Sequence, residues 1–325
     1  MNVLVTGGAG FIGSNLVSAL LKKDNVKLVR VLDNFATGHK HNLSSFMDDD
    51  KFELHEGDIR DYEVCNKACQ SIDVISHQAA LGSVPRSIKD PVTTNAVNVD
   101  GTLNMQYAAV QNNVKRFVFA ASSSTYGDSV GLPKVEDKIG RPLSPYAITK
   151  YVNELYADIF SASYDLDYVG LRYFNVFGPQ QDPNGAYAAV IPIFFKAAIN
   201  NTDPTINGDG SISRDFTYVS NAVNANILAL FTDNKAALNN IYNVACGQKT
   251  SLTELWGMIK ELSGTTANAS YGPPRNGDIL HSLADISKIK NHLYYKVEYN
   301  ISEGLQKAFA WYRANLLIEN NKTSA

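Results

Sequence analysis

Cysteine is scarce in this chain: the 325 residues contain three, at positions 65, 69 and 246. Three thiols cannot all pair within one chain, which argues against a disulfide-stapled scaffold and favours a reducing compartment, so we expect a cytoplasmic protein. Cys65 and Cys69 stand four residues apart in a predicted helix with no histidine nearby. We therefore predict that they are packed thiols and that the chain has no metal site.

Long hydrophobic runs and a large net charge are also missing. No apolar stretch approaches the ~20 residues that a membrane-spanning helix needs, and the N-terminus enters an apolar strand without the pattern of a signal peptide. The formal net charge of -3 gives no reason to expect a nucleic acid or an anionic membrane as a partner. With 45% hydrophobic residues, the chain has the composition of an ordinary soluble enzyme with one large domain or two.

What the chain does contain is a glycine-rich turn directly after an apolar strand. Residues 3–13 read VLVTGGAGFIG, with glycines at 7, 10 and 13. The pyrophosphate of a dinucleotide approaches a strand-to-helix turn only where side chains are missing, and the following helix offers N–H groups and a positive dipole end. Gly7 and Gly10 would admit phosphate to the backbone, and Gly13 would let the helix lie close to the sheet. The pattern predicts a dinucleotide site.

An acidic residue follows at the distance that such a site requires. A second apolar strand, residues 28–32, ends in Asp33, twenty residues after Gly13. In a βαβ unit this position places a carboxylate on the ribose hydroxyls, and its negative charge would repel a 2′-phosphate. The sequence therefore favours NAD over NADP.

Apolar runs alternate with helical patterns over the first half of the chain, which predicts an α/β fold with a doubly wound parallel sheet of the Rossmann type. We predict long helices over 95–112 and 146–164, and strands over 3–6, 28–32, 52–56, 74–77, 117–121 and 168–172. After about residue 175, turn signals such as Gly178-Pro179 and Asp203-Pro204 interrupt the alternation. We therefore predict an NAD-binding domain over 1–175, a smaller interwoven α/β substrate lobe over 176–316 and a disordered tail over 317–325.

Two residues with acid/base chemistry stand one turn apart in the second long helix. Tyr146 and Lys150 share one face of it. A free phenol, with a pKa near ~10, is a weak base, but positive charge from Lys150 and an oxidised nicotinamide favours the phenolate. Taken alone, such a pair is also typical of a surface tyrosine beside a solvated lysine.

Three hydroxyls, Ser122-Ser123-Ser124, follow an apolar strand at the sheet edge where this fold binds ligands. A run of hydroxyls in that place indicates hydrogen bonds to a ligand. A turn or a helix cap would use the same residues.

Further motifs join these in a characteristic order along the chain: Gly7-x-x-Gly10-x-x-Gly13, Asp33-Asn34, Gly57-Asp58-Ile59, His77-Gln78-Ala79-Ala80, Ser122, Tyr146-x-x-x-Lys150 and Arg172-Tyr173-Phe174-Asn175. With its motifs in this order, the chain resembles the extended short-chain dehydrogenases/reductases, specifically the nucleotide-sugar 4-epimerases. The resemblance extends from residue 1 to about 315. The resemblance implies that Tyr146 is the acid/base on the C4 hydroxyl of the sugar. It also implies that Lys150 lowers the pKa of Tyr146 and holds the nicotinamide ribose, and that Ser122 completes the hydrogen-bond path.

The same resemblance implies two sets of binding residues. The NAD site would comprise Gly7, Gly10, Phe11, Ile12, Gly13, Asp33, Asn34, Phe35, Thr37, Gly38, Asp58, Ile59, Gln78, Ala79, Ala80, Tyr146, Lys150, Tyr173 and Phe174. The UDP-sugar would contact Ser83, Arg86, Ser122, Ser123, Ser124, Tyr146, Asn175, Ala188, Ala189, Val190, Thr205, Ile206, Asn207, Arg214, Arg275, Asp278 and Ser282. Two arginines suit a diphosphate because guanidinium groups pair with its oxygens bidentately. An ion pair with Asp215 or another acidic residue is the alternative for Arg214.

The reaction that the resemblance implies is inversion at C4 through a transient 4-keto sugar, with hydride lent to NAD and returned to the other face. Since no net redox change results, NAD must stay bound throughout. In the family a tyrosine at position 282 restricts the enzyme to plain hexoses, whereas a small residue admits an N-acetyl group; here it is Ser282. The implied substrates are UDP-N-acetylglucosamine and UDP-N-acetylgalactosamine, with UDP-glucose and UDP-galactose also expected. Pro179-Gln180 and Leu280 stand where that subgroup often has arginines, so the ranking of the substrates stays open.

Other functions remain as alternatives. A 4,6-dehydratase of the same superfamily needs an acid pair after the active-site threonine, but Thr125 is followed by Tyr126-Gly127. A UDP-uronic acid 4-epimerase or decarboxylase needs a cation near C6, which Arg86 could supply. A non-catalytic NAD-binding regulator would have no need of the intact set Ser122, Tyr146 and Lys150.

The resemblance further implies a homodimer. In the family, two long helices of each subunit pair with those of the other. The predicted helices over 95–112 and 146–164 are the candidates.

Overall fold

The computed structural model describes residues 1–184, 188–273 and 280–323. Its strands are β1 (Asn2–Thr6), β2 (Leu28–Asp33), β3 (Phe52–Glu56), β4 (Val74–His77), β5 (Arg116–Ser122), β6 (Asp167–Tyr173), β7 (Val176–Phe177), β8 (Thr205–Asn207), β9 (Ser213–Arg214), β10 (Thr217–Tyr218), β11 (Asn240–Val244), β12 (Thr250–Ser251) and β13 (Ser270–Gly272). Its α-helices are α1 (Phe11–Leu21), α2 (Tyr62–Cys69), α3 (Val84–Lys89), α4 (Pro91–Asn95), α5 (Gly101–Gln111), α6 (Pro145–Tyr164), α7 (Val190–Asn200), α8 (Val219–Phe231), α9 (Leu252–Ser263), α10 (Ser287–Leu293) and α11 (Ile301–Thr323). Short 3₁₀ turns cover Lys40–Phe46, Ser123–Tyr126 and Lys235–Ala237.

Seven of these strands form a parallel sheet in the order β11-β6-β5-β4-β1-β2-β3. The chain winds outward in one direction from β1 to β3 and in the other from β4 to β11. The carboxyl ends of β1 and β4, where Thr6 pairs with His77, therefore flank the crevice in which doubly wound sheets bind ligands. The predicted fold class is confirmed, and each of the six predicted strands corresponds to a strand of this sheet.

Helices cover both faces of the sheet, so the strands bury side chains on both sides. Val3 and Val5 belong to one buried apolar cluster, whereas Leu4, between them, belongs to a second cluster. Successive side chains of a strand point to opposite faces, so the sheet separates two hydrophobic layers. Cys65 and Cys69 lie in the second layer, fully buried, as packed thiols.

The seventh strand, β11, comes from the part of the chain predicted to form the substrate lobe. It pairs in parallel with β6, with Asn240 opposite Val169, and the preceding helix α8 packs against α1. Residues 219–244, which lie in the lobe predicted to be interwoven, therefore supply the seventh strand of the sheet and a helix that covers it. The remainder of the lobe contains the small two-stranded pairs β10-β7, β12-β9 and β13-β8.

The two long predicted helices differ in regularity. α6 begins after Ser144, whose side chain accepts a hydrogen bond from the Ala147 N–H, and it ends at Asp165 in a left-handed conformation. The helix predicted over 95–112 is instead α4, a π-helical turn over Ala96–Asp100, and α5. Sequence periodicity does not reveal such a turn because a single wide turn shifts the pattern by only one residue.

The end of the chain also differs from the prediction. A disordered tail is predicted over 317–325, but α11 continues to Thr323. Its earlier turns are anchored by Leu305, Ala308 and Tyr312, which are buried. A helix that is nucleated by such packing gains one backbone hydrogen bond for each residue added, so it extends into polar sequence. No helix in the described ranges combines the length and the apolar content that crossing a membrane requires.

Candidate active site

A cleft of about 550 Å³ opens at the carboxyl edge of the sheet, over β1 and β4. The predicted NAD residues that line it are Gly7, Gly10, Phe11, Ile12, Gly13, Asp33, Asn34, Thr37, Gly38, Asp58, Ile59, Gln78, Ala79, Ala80, Tyr146, Lys150 and Tyr173. Ser83, Ser122, Ser123 and Asn175, predicted to contact the sugar, line it as well. The structure thus brings both groups of residues into one cavity.

The glycine-rich turn has the shape that a pyrophosphate needs. Gly7 has φ +68°, and a Cβ there would lie 2.7 Å from the Ala79 nitrogen; a Cβ on Gly13 would lie 2.1 Å from the Gly7 oxygen. At Gly10 a Cβ would meet only the Gly7 oxygen, at 3.2 Å, so this position opens into the cleft. No side chain caps α1 at Gly10, which leaves the helix start available to an anion. A dinucleotide fits this turn.

Asp33 lies beyond the turn, at the end of β2. Its carboxylate accepts hydrogen bonds from the Ala9 N–H at 2.9 Å and the Phe35 N–H at 2.8 Å. Burial raises the pKa of Asp33, and the two backbone hydrogen bonds oppose that shift. Asp33 therefore fixes the turn that follows Gly7 and also presents an acceptor to the cleft.

Asp58 and Asn34 lie beside each other at this end of the cleft. The Asn34 amide donates to Asp58 at 2.8 Å, and the Arg60 guanidinium pairs with the same carboxylate at 2.7 Å. The hydrogen bond from Arg60 is the main cause that lowers the pKa of Asp58 to about 2. Asp58 is therefore a charged acceptor at neutral pH.

Tyr146, Lys150 and Ser122 meet at the opposite end of the cleft. Ser122 ends β5 and lines the same cleft as Tyr146. Lys150, one turn further along α6, is buried and donates from Nζ to the Ala120 carbonyl at 2.7 Å. Burial raises the pKa of Tyr146, and hydrogen bonding by Ser122 opposes that shift. Burial lowers the pKa of Lys150 to about 8, with the charge of Glu154 opposing. The arrangement brings a phenol, a hydroxyl and an ammonium group together.

A buried polar network, which no sequence motif indicated, supports α6 from behind. Arg172 of β6 pairs with Glu154 through two guanidinium hydrogen bonds, at 2.8 and 2.7 Å. A third goes to the Glu136 carbonyl at 2.9 Å, and the guanidinium lies 4.8 Å from the centroid of the Tyr126 ring. The Tyr126 hydroxyl donates to Asn243 of β11 at 2.6 Å. The added strand therefore helps to hold the helix that carries Tyr146 and Lys150.

His77, at the end of β4, is also buried near this site. Its ring nitrogens form hydrogen bonds with the hydroxyls of Thr6 at 2.8 Å and Thr102 at 3.0 Å. Burial, followed by the charge of Lys150, lowers the pKa of His77 to about 3. The ring is therefore neutral at physiological pH and adds no charge beside Lys150.

A second cavity of about 250 Å³ adjoins the first through Asn175 and Val176, which line both. It brings together the predicted substrate residues Asn175, Ala188, Ala189, Val190, Thr205, Ile206, Asn207 and Arg214. Phe216 and Leu252, which the sequence did not indicate, add apolar surface. The two joined cavities could hold two ligands end to end.

Several predicted site residues lie elsewhere. Phe174 is fully buried in the core, its ring 6.0 Å from that of Tyr126. Tyr173, the last residue of β6, lines the cleft, and contact of Phe174 with the nicotinamide stays a prediction. Arg275 and Asp278 fall outside the described residues.

Phe35, Arg86, Ser124 and Ser282 are not among the residues that line either cavity. Phe35 packs against the core beside the cleft. Ser124 donates to Ser122 Oγ at 2.9 Å, so its contact with the cleft is indirect. Ser282 is buried, and its N–H donates to the Ser213 carbonyl at 3.0 Å. Conversely, Val97 and Gln181 line the first cavity, although neither belongs to a sequence motif.

Comparison with known proteins gives a consistent result over almost the whole chain. Residues 3–245 match the model of the NAD dependent epimerase/dehydratase family. A putative UDP-glucose 4-epimerase of Methanocaldococcus jannaschii is 38% identical, over 96% of this chain and 99% of its own length.

Solved structures agree with the sequence comparison. A UDP-N-acetylglucosamine 4-epimerase from Methanobrevibacter ruminantium, in complex with UDP-N-acetylmuramic acid, superposes with a TM-score of 0.91 at 39% identity, covering 97% of this chain and 98% of the other. A UDP-glucose 4-epimerase of Thermus thermophilus in complex with NAD gives 0.87 at 36% identity, covering 96% and 99%. The similarity therefore includes both the sheet and the lobe that follows it.

Proposed function

Because the chain belongs to the NAD dependent epimerase/dehydratase family, we propose that it is a UDP-sugar 4-epimerase that interconverts UDP-N-acetylglucosamine and UDP-N-acetylgalactosamine, with UDP-glucose and UDP-galactose as further substrates. One observation carries this proposal. Tyr146, Ser122 and the buried Lys150 line one cleft, which is continuous with a second cavity bearing Arg214.

The cofactor is NAD. The turn over Gly7, Gly10 and Gly13 would hold its pyrophosphate, and the Asp33 carboxylate would accept hydrogen bonds from a ribose. When bound, NAD supplies the hydride acceptor that a C4 alcohol needs and the donor that the ketone needs afterwards. The side chains of this protein supply the remaining functions, which are proton exchange and binding of the substrate.

Tyr146 exchanges a proton with the oxygen on C4 of the sugar. A neutral phenol is a weak base, and burial alone raises its pKa, so positive charge has to offset the effect of burial. Lys150 supplies that charge: a group with a pKa of about 8 is protonated at neutral pH. Ser122 accepts and donates hydrogen bonds beside the phenol and thereby orients it toward the sugar.

The second cavity supports a nucleotide diphosphate as the remainder of the substrate. Thr205, Ile206 and Asn207 form one wall, with backbone and amide groups suited to hydrogen bonding with a base. Arg214 lies in the same cavity, and a guanidinium group pairs with two phosphate oxygens at once. Asn175, at the junction of the cavities, would lie between the diphosphate and the sugar.

Acceptance of an N-acetyl group is supported by Ser282 and by a relative. Ser282 is small and buried, and its backbone is fixed to Ser213 of β9, so a larger side chain there would have little room to move away. The Methanobrevibacter structure described as a UDP-N-acetylglucosamine 4-epimerase shares 39% identity. The Methanocaldococcus relative, in contrast, is named a putative UDP-glucose 4-epimerase, which is why plain hexoses are included.

A parallel assay tests the proposal. Purified protein is incubated separately with UDP-N-acetylglucosamine, UDP-glucose and UDP-glucuronate, and the products are separated by chromatography. We expect the C4 epimer from the first two sugars, with the higher kcat/KM for the acetylated one. Epimerisation or loss of CO₂ from UDP-glucuronate alone would favour the uronic acid enzymes instead, and inactivity toward all three sugars would contradict the proposal.

We also propose a homodimer that forms through α4, α5 and α6. These helices carry apolar side chains that face solvent in the single chain: Val92 is 78% exposed, Ile148 52% and Ile159 58%. Val92 and Ile148 line a shallow groove between α4 and α6, together with Pro91 and Pro145. An exposed apolar surface of this kind on long helices is typical of a subunit interface, and a second copy of the same helices would bury it.

A further inference from the structure

Asn226, on α8, is fully buried and lies behind the coenzyme cleft. Its amide nitrogen donates to the phenol oxygen of Tyr173 at 2.7 Å and to the Ala222 carbonyl at 2.8 Å. Its carbonyl oxygen accepts from the Ser76 hydroxyl at 3.1 Å and from the Gln78 amide at 2.9 Å. All the hydrogen-bonding capacity of this side chain is therefore used.

The partners of Asn226 are themselves joined into a closed network. The Tyr173 hydroxyl donates to the Gln78 carbonyl oxygen at 3.1 Å, and the Gln78 amide also donates to Ser76 Oγ at 2.9 Å. An amide nitrogen can only donate, so Tyr173 has to accept from Asn226 and to direct its own proton to Gln78. The direction of each bond in the network is thereby fixed.

This network determines what the cleft offers to a ligand. Tyr173 and Gln78 both line the cleft, at the ends of β6 and β4, but their polar atoms are engaged with each other and with Asn226. Tyr173 therefore presents its ring and not its hydroxyl. Burial raises the pKa of Tyr173 to about 12 against the hydrogen bonds of Asn226 and Gln78, so this phenol is neutral at physiological pH.

We propose that Asn226 is a positioning residue that holds the ring of Tyr173 and the amide of Gln78 in place against the bound coenzyme. The inference rests on the proposed function, because an epimerase has to retain its coenzyme between the two hydride transfers. α8 belongs to the part of the chain that completes the sheet, so one buried amide connects that part with two walls of the cleft. Fully satisfied buried networks of this kind are rigid.

The test uses Asn226→Leu, which keeps the side-chain volume and removes all four hydrogen bonds. Binding of NADH to the purified protein, after removal of resident coenzyme, is followed through the nicotinamide fluorescence. We expect about tenfold weaker binding, as for the loss of a buried hydrogen-bonded partner, together with a shifted emission maximum of bound NADH. The readout needs no turnover, so it is independent of whether the UDP-sugar assay succeeds.

Asn221→Leu is the matched control. Asn221 lies on the same helix, is equally buried, and hydrogen bonds through its amide to Tyr299 and Glu298, which do not line the coenzyme cleft. We expect a similar decrease in Tm for both variants but unchanged NADH binding for Asn221→Leu. Equal loss of NADH binding in the two variants, or wild-type binding and emission in folded Asn226→Leu, would overturn the inference.

Tyr173→Phe provides a second route if Asn226→Leu does not fold. It keeps the ring and removes the hydroxyl through which Asn226 acts, and we expect NADH binding to weaken about threefold. Where Asn226→Leu does fold, the loss in the double variant should be smaller than the product of the two single losses, since both changes remove parts of one network. Unchanged NADH binding in Tyr173→Phe would show that the network does not position the coenzyme.

Discussion

Lys150 and Ala120 are joined by a 2.7 Å hydrogen bond from the lysine ammonium to the alanine carbonyl. This bond crosses from α6 to β5, two residues before Ser122, and fixes the distance between the helix that carries the phenol and the strand that carries its hydroxyl partner. The buried position lowers the pKa of Lys150 to about 8, so the positive charge that we propose favours the phenolate is kept at a cost in desolvation.

Replacement of the phenol by a phenyl ring should separate binding from chemistry. Tyr146→Phe removes the proton acceptor but not the shape of the side chain, so we expect turnover to fall about 10³-fold while NAD and UDP-sugar bind with affinities close to those of the wild type. Chromatographic product assays and calorimetric titrations measure the two effects. Retained turnover would show that another group carries the proton.

Two glycines of the same turn should respond differently to alanine. In Gly10→Ala the only close neighbour of the new Cβ is the Gly7 oxygen, at 3.2 Å, so the Tm should stay near that of the wild type. Binding of NADH should be about tenfold weaker, because the methyl group faces the pyrophosphate. In Gly13→Ala the Cβ would lie 2.1 Å from the Gly7 oxygen, so the Tm itself should fall. Thermal unfolding and NADH titration distinguish these outcomes, and an equal effect of the two variants on stability would contradict the prediction.

His77 should make the protein less stable in acid. The pKa of His77 is about 3 in the folded chain, against 6.5 ordinarily, so between these pH values the unfolded chain binds a proton that the folded chain does not. The free energy of unfolding should therefore fall below about pH 6.5, by up to ~1.4 kcal/mol per pH unit from this group. Urea unfolding between pH 7 and 4.5 should give a shallower decline for His77→Asn, which cannot titrate. Parallel curves for the two proteins would be inconsistent with a buried neutral His77.

Position 282 is expected to control the room beside C2 of the sugar. Ser282→Tyr should decrease kcat/KM for UDP-N-acetylglucosamine about 100-fold by steric exclusion and leave UDP-glucose within about threefold of the wild type. Ser282→Ala, which keeps the small volume, is the control and should behave as the wild type with both sugars. Equal activity of Ser282→Tyr toward the acetylated sugar would show that the gate lies elsewhere.

A charge in the exposed apolar surface should separate the subunits of the proposed dimer. Ile148 is 52% exposed on α6, and Ile148→Arg would place a guanidinium group in the interface at a large desolvation cost. We expect a shift from dimer to monomer in light scattering after gel filtration. Val130→Arg, at a side chain that is 96% exposed outside these helices, should remain a dimer. A monomeric wild type would refute the prediction.

Much of the sheet and of the coenzyme site could be predicted because local signals coincide there with the fold. Residues 52–56 and 74–77 are strands with the predicted bounds. The first, FELHE, alternates apolar and polar side chains, and the second, VISH, is a short buried run. The glycine turn, Asp33 and the pair Tyr146/Lys150 could be placed because fixed spacing on a strand or a helix determines their direction.

Other features depend on contacts between distant residues, which spacing does not encode. The segment of β11 reads NIYNV, and its pairing with β6 depends on tertiary packing. The sequence alone could not show which of Tyr173 and Phe174 faces the cleft, because that depends on where β6 ends and which side of it faces the core. Asn226 has no motif at all, because its role comes from meeting Tyr173 and Gln78 in space.

The parallel pairing of β11 with β6 has a consequence for synthesis of the chain. Until residue 244 leaves the ribosome, β6 is an open edge with free backbone N–H and C=O groups, and such an edge attracts strands of other chains. Nascent N-terminal pieces and truncated products should therefore aggregate, whereas circular permutants that join the termini but keep residues 167–244 contiguous should remain dispersed.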